Sequence, residues 1–310
     1  MKKQRNMSKK AIQSVIDLCF PVHMINNPEL TNKKHSKLVV GLIPDPNNPE
    51  KNRRKVLNYC SPTYGLVPNS AIFPQIEKIF SDNEVSYEAT YYHVDDVEFY
   101  IEYRVTDERY TWTVPNTNDK IQMIIRVQHS YDSSKVFKVF MGWFRFICDN
   151  GLVSPVKEME DFNLVIVVKH ATKIHKSFEV FNQMLVKIKN DAEDIIAAVG
   201  NKFNVLAKTT ISDESFDDML KETLSAAGIK PISNSKYCTY ADIKARAYDE
   251  ANHPTLGYNG TVNEWLVYNA INQYINDDTL NVTNPETRLA NDSKVLEYLL
   301  SKHEEQEPVS

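Results

Sequence analysis

The residues with most chemistry to offer are cations near the front of the chain. Lys33, Lys34 and Lys37 precede the run Lys51-Asn52-Arg53-Arg54-Lys55. Cations at this density neutralise phosphates, and each neutralised phosphate releases condensed counterions. Such a run predicts binding to a polyanion that weakens as salt rises. A solubilising surface segment has the same composition, and spacing alone leaves both readings open. Residues 1–60 hold 12 Lys and Arg against 4 Asp and Glu, a balance of +8 in a chain whose total is −5.

A second group joins Ser130 and Asp132 with Arg145, Asn150, Lys169, His170 and Lys173. Lys169 to Lys173 lie where an apolar run gives way to a helical pattern. Free backbone amides at a helix start, with two lysines beside them, make an anion site. Turn and cap chemistry is the competing reading, with Asn150-Gly151 as a turn and Thr172 as an N-cap.

Covalent and metal chemistry are poorly served. Cys148 lies between Ile147 and Asp149, with no cation to activate its thiol for His170 to deprotonate. His170 and His175 are five residues apart, which does not put both on one helix face. GxGxxG, GxxxxGK[ST], HExxH and GxSxG are all absent, and 8 glycines leave few phosphate-cradling loops. The expectation is a protein without catalytic residues, metal or cofactor. Tyr87, Tyr91, Tyr92, Tyr100, Tyr103, Tyr110 and Trp112 would provide stacking surfaces, but seven acids share their stretch and would repel phosphate. They read as core and cross-strand pairs.

The elements that must position these groups follow from periodicity. Residues 1–58 read as an irregular basic arm, with a short helix near 8–19, an apolar run Leu38–Ile43 and an exposed loop at Pro44–Pro49. A helix is expected over Pro74–Ser81. From 85 the period becomes two: Val97, Phe99, Ile101, Tyr103 and Val105 alternate with polar neighbours, as do Ile121, Met123, Ile125 and Val127. Val85–His93 and Lys135–Ile147 complete four strands, Tyr131-Asp132-Ser133-Ser134 forms a hairpin turn, and Leu164–Val168 is a fifth, buried strand. From 172 the residues Ile174, Phe178, Phe181, Leu185, Ile188, Ala192, Ile195 and Val199 alternate spacings of 4 and 3. This predicts one long helix ending near Gly200, either lying on the sheet or offering its seam to a partner. Helices over Ser212–Ala227, Tyr240–Ala251 and Thr261–Asp277 follow, the last with a capping box Thr261-x-x-Glu264. A final helix starts near Ser293 and a polar tail occupies 302–310. The class is α+β: an antiparallel sheet of four to five strands packed by a long helix, then a helical C-terminal part.

Composition sets outer bounds. A chain of 310 residues, 42% hydrophobic and 25% charged, is neither disordered nor fibrous. Four scattered cysteines without a CxxC pair indicate a reducing compartment. The first 20 residues lack the unbroken apolar core of an export signal, and no stretch reaches the ~20 apolar residues of a bilayer span. A cytoplasmic protein of a bacterial host, with no membrane partner, is expected.

Five phrases, in order, resemble the DUF932 family, the "phage/plasmid-like protein" group. They are Tyr59–Asn69; Ser130–Ser134, where Ser133 replaces the family's usual Gly; Arg145-Phe146-Ile147-Cys148-Asp149-Asn150-Gly151-Leu152; Lys169-His170-Ala171-Thr172, with one residue inserted; and Gly260–Ala270 followed by Tyr274. The resemblance spans about 59–290. It implies a mobile-element origin and a single module over 59–301, with the sheet at 85–168 and helices at 172–301. It supplies no catalytic residues.

The leading expectation is therefore a phage- or plasmid-encoded, non-enzymatic protein that binds single-stranded nucleic acid, in annealing, replication or recombination. Lys33, Lys34, Lys37, Lys51, Arg53, Arg54, Lys55, Arg145, Asn150, Lys169, His170 and Lys173 would line its track. The layout of basic arm, sheet and long helix is similar to that of strand-annealing proteins, an analogy of fold alone. The alternative is a structural or interaction protein, a virion component or host-factor binder, using the 174–199 seam or the acidic helical part; a homo-oligomer fits either reading.

Overall fold

A computed structural model describes residues 10–12, 14–27, 35–45, 47–93, 96–145, 151–152, 165–168, 174–229, 240–276 and 285–304. Among these, the strands are β1 Lys10–Ile12, β2 Val22–Asn26, β3 Lys37–Asp45, β4 Asn48–Cys60, β5 Tyr87–His93, β6 Glu98–Val105, β7 Thr111–Thr113, β8 Lys120–Ser130, β9 Phe137–Arg145, β10 Gly151–Leu152 and β11 Val165–Val168. The helices are α1 Phe73–Asp82, α2 Ile174–Asn190, α3 Ala192–Lys208, α4 Asp213–Ala226, α5 Tyr240–Ala251, α6 Glu264–Asn276 and α7 Pro285–Glu304. Antiparallel sheets with a helical C-terminal part make the chain α+β.

One sheet runs in the order β1-β5-β6-β8-β9-β10, with β11 paired to β9 and β7 to β8; a second, three-stranded sheet has the order β2-β3-β4. The chain divides into two compact units. The first comprises Met1–Asp107, Ile125–Met141 and Phe162–Asn190, and the second Glu108–Ile124, Gly142–Asp161 and Asp191–Ser310.

In the first unit the alternating strands do as their period dictates: Phe99, Ile101, Tyr103 and Val105 are buried along β6. Phe80 of α1 meets Tyr87 and Tyr103 at ring distances of 4.8 and 4.9 Å, and Tyr103 is a core residue, as expected, while Tyr87 is half-buried. The 131–134 turn also forms as expected: Ser133 takes φ 63°, the Ser134 amide donates to Asp132 Oδ1, and Ser130 Oγ accepts from the Lys135 amide. Ser tolerates this left-handed position less well than the Gly the family places there.

The irregular basic arm is not what forms. Strands β3 and β4 pair as a β-hairpin, and β2 adds a third strand to it. Asp45 and Asn48 pair at its tip, where Asp45 Oδ1 accepts from the Asn47 amide in a local Asx turn. The prolines that spoke against a strand sit where a strand tolerates them. Pro49 is on edge strand β4, and Pro44 lies beyond Gly41, where β2 stops. The short helix near 8–19 is instead β1 and one 3-10 turn, Val15–Leu18.

The expected single long helix is two, α2 in the first unit and α3 in the second. They break at Asp191 (φ −106°, ψ 17°), which precedes the acidic first turn Glu193-Asp194 of α3. Phe178, Phe181, Leu185, Ile188, Ala192, Ile195 and Val199 are all buried. The heptad stripe is therefore core rather than an exposed oligomer seam.

The second unit packs α6 against α3, α5 and α7. α4 starts at an N-cap, Ser212, whose hydroxyl accepts from the Ser215 amide, and stops before Gly228 at φ 70°. α5 has the expected bounds. α6 starts later than expected, because Asn263 Oδ1 rather than Thr261 caps it, accepting from the Leu266 amide at 3.0 Å. Glu264, expected in the capping box, meets His303 Nε2 at 2.6 Å instead. α7 begins at Pro285, ahead of the expected Ser293.

Candidate functional site

The cationic run lies on β4, an edge strand of 13 residues. Directly opposite residues of an antiparallel pair share a face. Lys55 is opposite Gly41 and Arg53 opposite Ile43, on the side where Val39, Gly41 and Ile43 are buried. Both cations reach one carboxylate, Asp96 Oδ2, from Lys55 Nζ at 2.9 Å and Arg53 at 3.7 Å. Arg54 is opposite Leu42 on the other face. Lys51, Arg53 and Arg54 are exposed and Lys55 is half-buried. Lys37 donates to Asn26 Oδ1 across to β2. Lys33 and Lys34 lie outside the described residues.

The outer face of this sheet carries more than charge. A bulge between Val39 and Val40 shifts the register, so Leu38 opposes Tyr59 and Val40 opposes Val56. Tyr59, Val56, Arg54 and Asn52 therefore follow one another along one face of β4. Tyr59 is 56% exposed and Val56 42%. Neither stands out in the sequence.

Arg145 does not belong with these cations. Its side chain is 0% exposed, as is that of Asp119, with which it forms three hydrogen bonds: Nε to both carboxylate oxygens at 2.9 Å and a terminal nitrogen to Oδ2 at 2.6 Å. The other terminal nitrogen reaches Glu250 Oε2 of α5 at 2.5 Å. Tyr258 OH and Trp265 Nε1 donate to the same Asp119 Oδ2 at 2.6 and 3.0 Å, and the guanidinium lies 5.9 Å from the Trp265 ring centre. Burial, with the adjacent Asp119 carboxylate, holds the Tyr258 hydroxyl far above its ordinary pKa. A guanidinium engaged in this way is inaccessible to phosphate. Its role is to tie β9, α5 and α6 to the residue preceding β8, and the motif phrases around Arg145 and Trp265 meet over Asp119.

Two other phrases interlock in the first unit. Tyr64 OH donates to the Tyr131 carbonyl at 3.1 Å, the Asn69 amide donates to Tyr131 OH at 2.8 Å, and His129 Nε2 lies 3.1 Å from the Val67 carbonyl. Asn58 Nδ2 adds bonds to the Tyr131 carbonyl and Ser133 Oγ. Burial pushes the Tyr64 hydroxyl up to about 12. Ser130 and Asp132 thus take part in the turn itself.

Asn150, Lys169, His170 and Lys173, together with Cys148, lie outside the described residues, and so does the expected anion site at the 172 helix start. Burial raises the Cys19 thiol to about 11 and also raises that of Cys60. Among the described residues no three His, Cys, Asp or Glu side chains cluster as metal ligands, and no helix is long and apolar enough to cross a membrane.

Fold and site together define an α+β protein whose motif phrases lock its two units internally, with an exposed cationic edge strand on the first. The chain belongs to the family described as Domain of unknown function (DUF932), whose model matches residues 56–297. No curated protein and no solved structure matches it. The family match takes in Asp119, Arg145, Glu250, Tyr258 and Trp265 but starts within β4, so Lys51–Lys55 precede it.

Proposed function

We propose that this is a non-enzymatic, mobile-element protein of the bacterial cytoplasm that binds single-stranded nucleic acid through β4, in annealing, replication or recombination. One observation carries the reading: Lys51, Arg53, Arg54 and Lys55 fall within five residues of one edge strand, where the first three are exposed. Exchanging an exposed ion pair for a phosphate costs little, since such pairs contribute about 0–1 kcal/mol. The interface is smaller than the sequence suggests, because Arg145 is withdrawn into the second unit. Of the two surfaces open to the interaction-protein alternative, the 174–199 stripe is buried from Phe178 to Val199, which leaves it the acidic helical part.

Fluorescence anisotropy with labelled oligo(dT) tests the reading. Three accessible cations predict a log–log salt slope of about −2 on a single strand. Binding absent at about 50 mM salt, or unchanged at about 200 mM, overturns it.

A further inference from the structure

We infer that the outer face of the β2-β3-β4 sheet is a base-stacking surface, with Tyr59 as its anchor. This rests on the proposed nucleic-acid reading and says how the strand is held. The face is fixed by register: Tyr59, Val56 and Arg54 on β4 oppose Leu38, Val40 and Leu42 on β3, and Ile25 and His23 on β2 oppose Leu38 and Val40. Val40 is buried at the middle of this face and Leu38 and Leu42 are half-buried, so an aromatic ring, one valine and a guanidinium succeed one another in solvent along β4. Tyr59, Val56, Arg54 and His23 all reach solvent there. Apolar side chains left in water on a cation-bearing face match the two needs of a single strand, a π-face or apolar contact for its bases and a cation for its phosphates.

The spacing of the face selects single strands over duplex. Val56 and Arg54, two residues apart on this face, are separated by about 6.6 Å, and Tyr59 lies three residues from Val56 across the bulge. Stacked nucleotides in a duplex strand advance only about 3.4 Å. Bases that contact successive positions on this face must therefore be splayed apart. A single strand can do this at small cost, whereas a paired duplex cannot do it without opening. Arg54 lies two same-face positions from Tyr59, so one phosphate contact sits beside the stacked bases rather than beneath them.

Two variants separate this inference from the reading beneath it. Tyr59→Ala is expected to weaken oligo(dT) binding by roughly 5- to 150-fold, the range that removal of one base–aromatic stack gives. Its salt slope should not change, because no cation is lost. Tyr59→Phe should restore wild-type affinity, and Tyr59→Trp should place a fluorophore whose emission is quenched as oligo(dT) is added. Blunt duplex of the same length should bind Tyr59→Ala and wild type alike. Two results refute the stacking surface while leaving phosphate binding in place: salt-dependent oligo(dT) binding that persists unaltered in a folded Tyr59→Ala protein, or emission from the Tyr59→Trp variant that is indifferent to oligo(dT). If the wild type binds no oligo(dT) at low salt, the underlying reading has failed.

Discussion

Arg145 and Asp119 hold each other by three hydrogen bonds with neither side chain exposed to solvent. The guanidinium fork matches the carboxylate geometry, and Glu250, Tyr258 and Trp265 complete the shell. A residue whose position in the chain suggested a phosphate contact is the central pin of a helical unit.

Removing one partner of a buried pair strands the other in a low-dielectric interior. Arg145→Met and Asp119→Asn should each destabilise the protein by about 3–5 kcal/mol, read as a shift in the urea midpoint. Arg145→Lys should not rescue, since an ammonium cannot reproduce the fork. A loss below about 1 kcal/mol would show that the pair contributes little. Where an Arg145 variant remains folded, its oligonucleotide affinity should equal that of the wild type.

Glu102 supplies a pH-dependent increment in the first unit. Burial alone would raise its carboxyl, but the Arg126 guanidinium at 2.8 Å, with Arg104 at 3.3 Å, outweighs burial and leaves the pKa lowered. A folded-state pKa below the unfolded value of ~4.3 stabilises the protein above that pH, and the increment disappears as pH falls through the folded value. Wild type should therefore exceed Glu102→Gln in urea midpoint at about pH 7. The gap should close as the pH is lowered below about 4. A gap that persists at the acid end would contradict this assignment.

Gly200 lies inside α3, where alanine ordinarily gains about 1 kcal/mol. Here a Cβ would come within 2.5 Å of Trp112 Nε1 and 2.7 Å of its Cδ1, and that ring is packed against both Phe203 and Trp265. Gly200→Ala should lower stability by about 1–3 kcal/mol, the cost of overpacking, and a rise in melting temperature would refute it.

The start of α6 can be decided by two substitutions. Asn263 caps the helix and also donates to the Ala207 carbonyl at 2.9 Å, while Thr261 lies outside it. Asn263→Ala should cost about 0.5–2 kcal/mol, whereas Thr261→Ala should stay within about 0.5 kcal/mol. Equal losses would restore Thr261 as the cap.

What was legible in the sequence was whatever expressed itself as a period. Phe99 to Val105 and Ile121 to Val127 announced β6 and β8, and the helical repeat placed α4 and α5 within a residue or two. Less legible was anything requiring one signal to be weighed against another. The heptad stripe ran unbroken through Asp191 because its alternating spacing of 4 and 3 continues across the break. The stop and start were nonetheless present, as Lys187 and Lys189 in a last turn and Glu193 and Asp194 in a first turn, each complementing a helix end. The β2-β3-β4 sheet was hidden because β4 carries four cations and two exposed apolar residues where an alternating strand would show a clean apolar face. Its prolines argued for a loop only until the edge positions were known.

For the site, residue type was misleading where burial decided the role. Arg145 looked like the other cations, and nothing in its phrase identified Asp119 as its partner 26 residues earlier. Tyr59 lay inside a recognised phrase but next to a buried cysteine, so its exposure could be learned only from the register set by the bulge.

The cations of β4 as a phosphate track are the central claim, and reversing their charge tests it most directly. Oligo(dT) anisotropy should be measured for wild type and for the folded double variant Arg53→Glu, Arg54→Glu at about 50 mM salt. Salt-sensitive binding by the wild type and none by the variant is the predicted result; affinity unaltered by the charge reversal would contradict the claim.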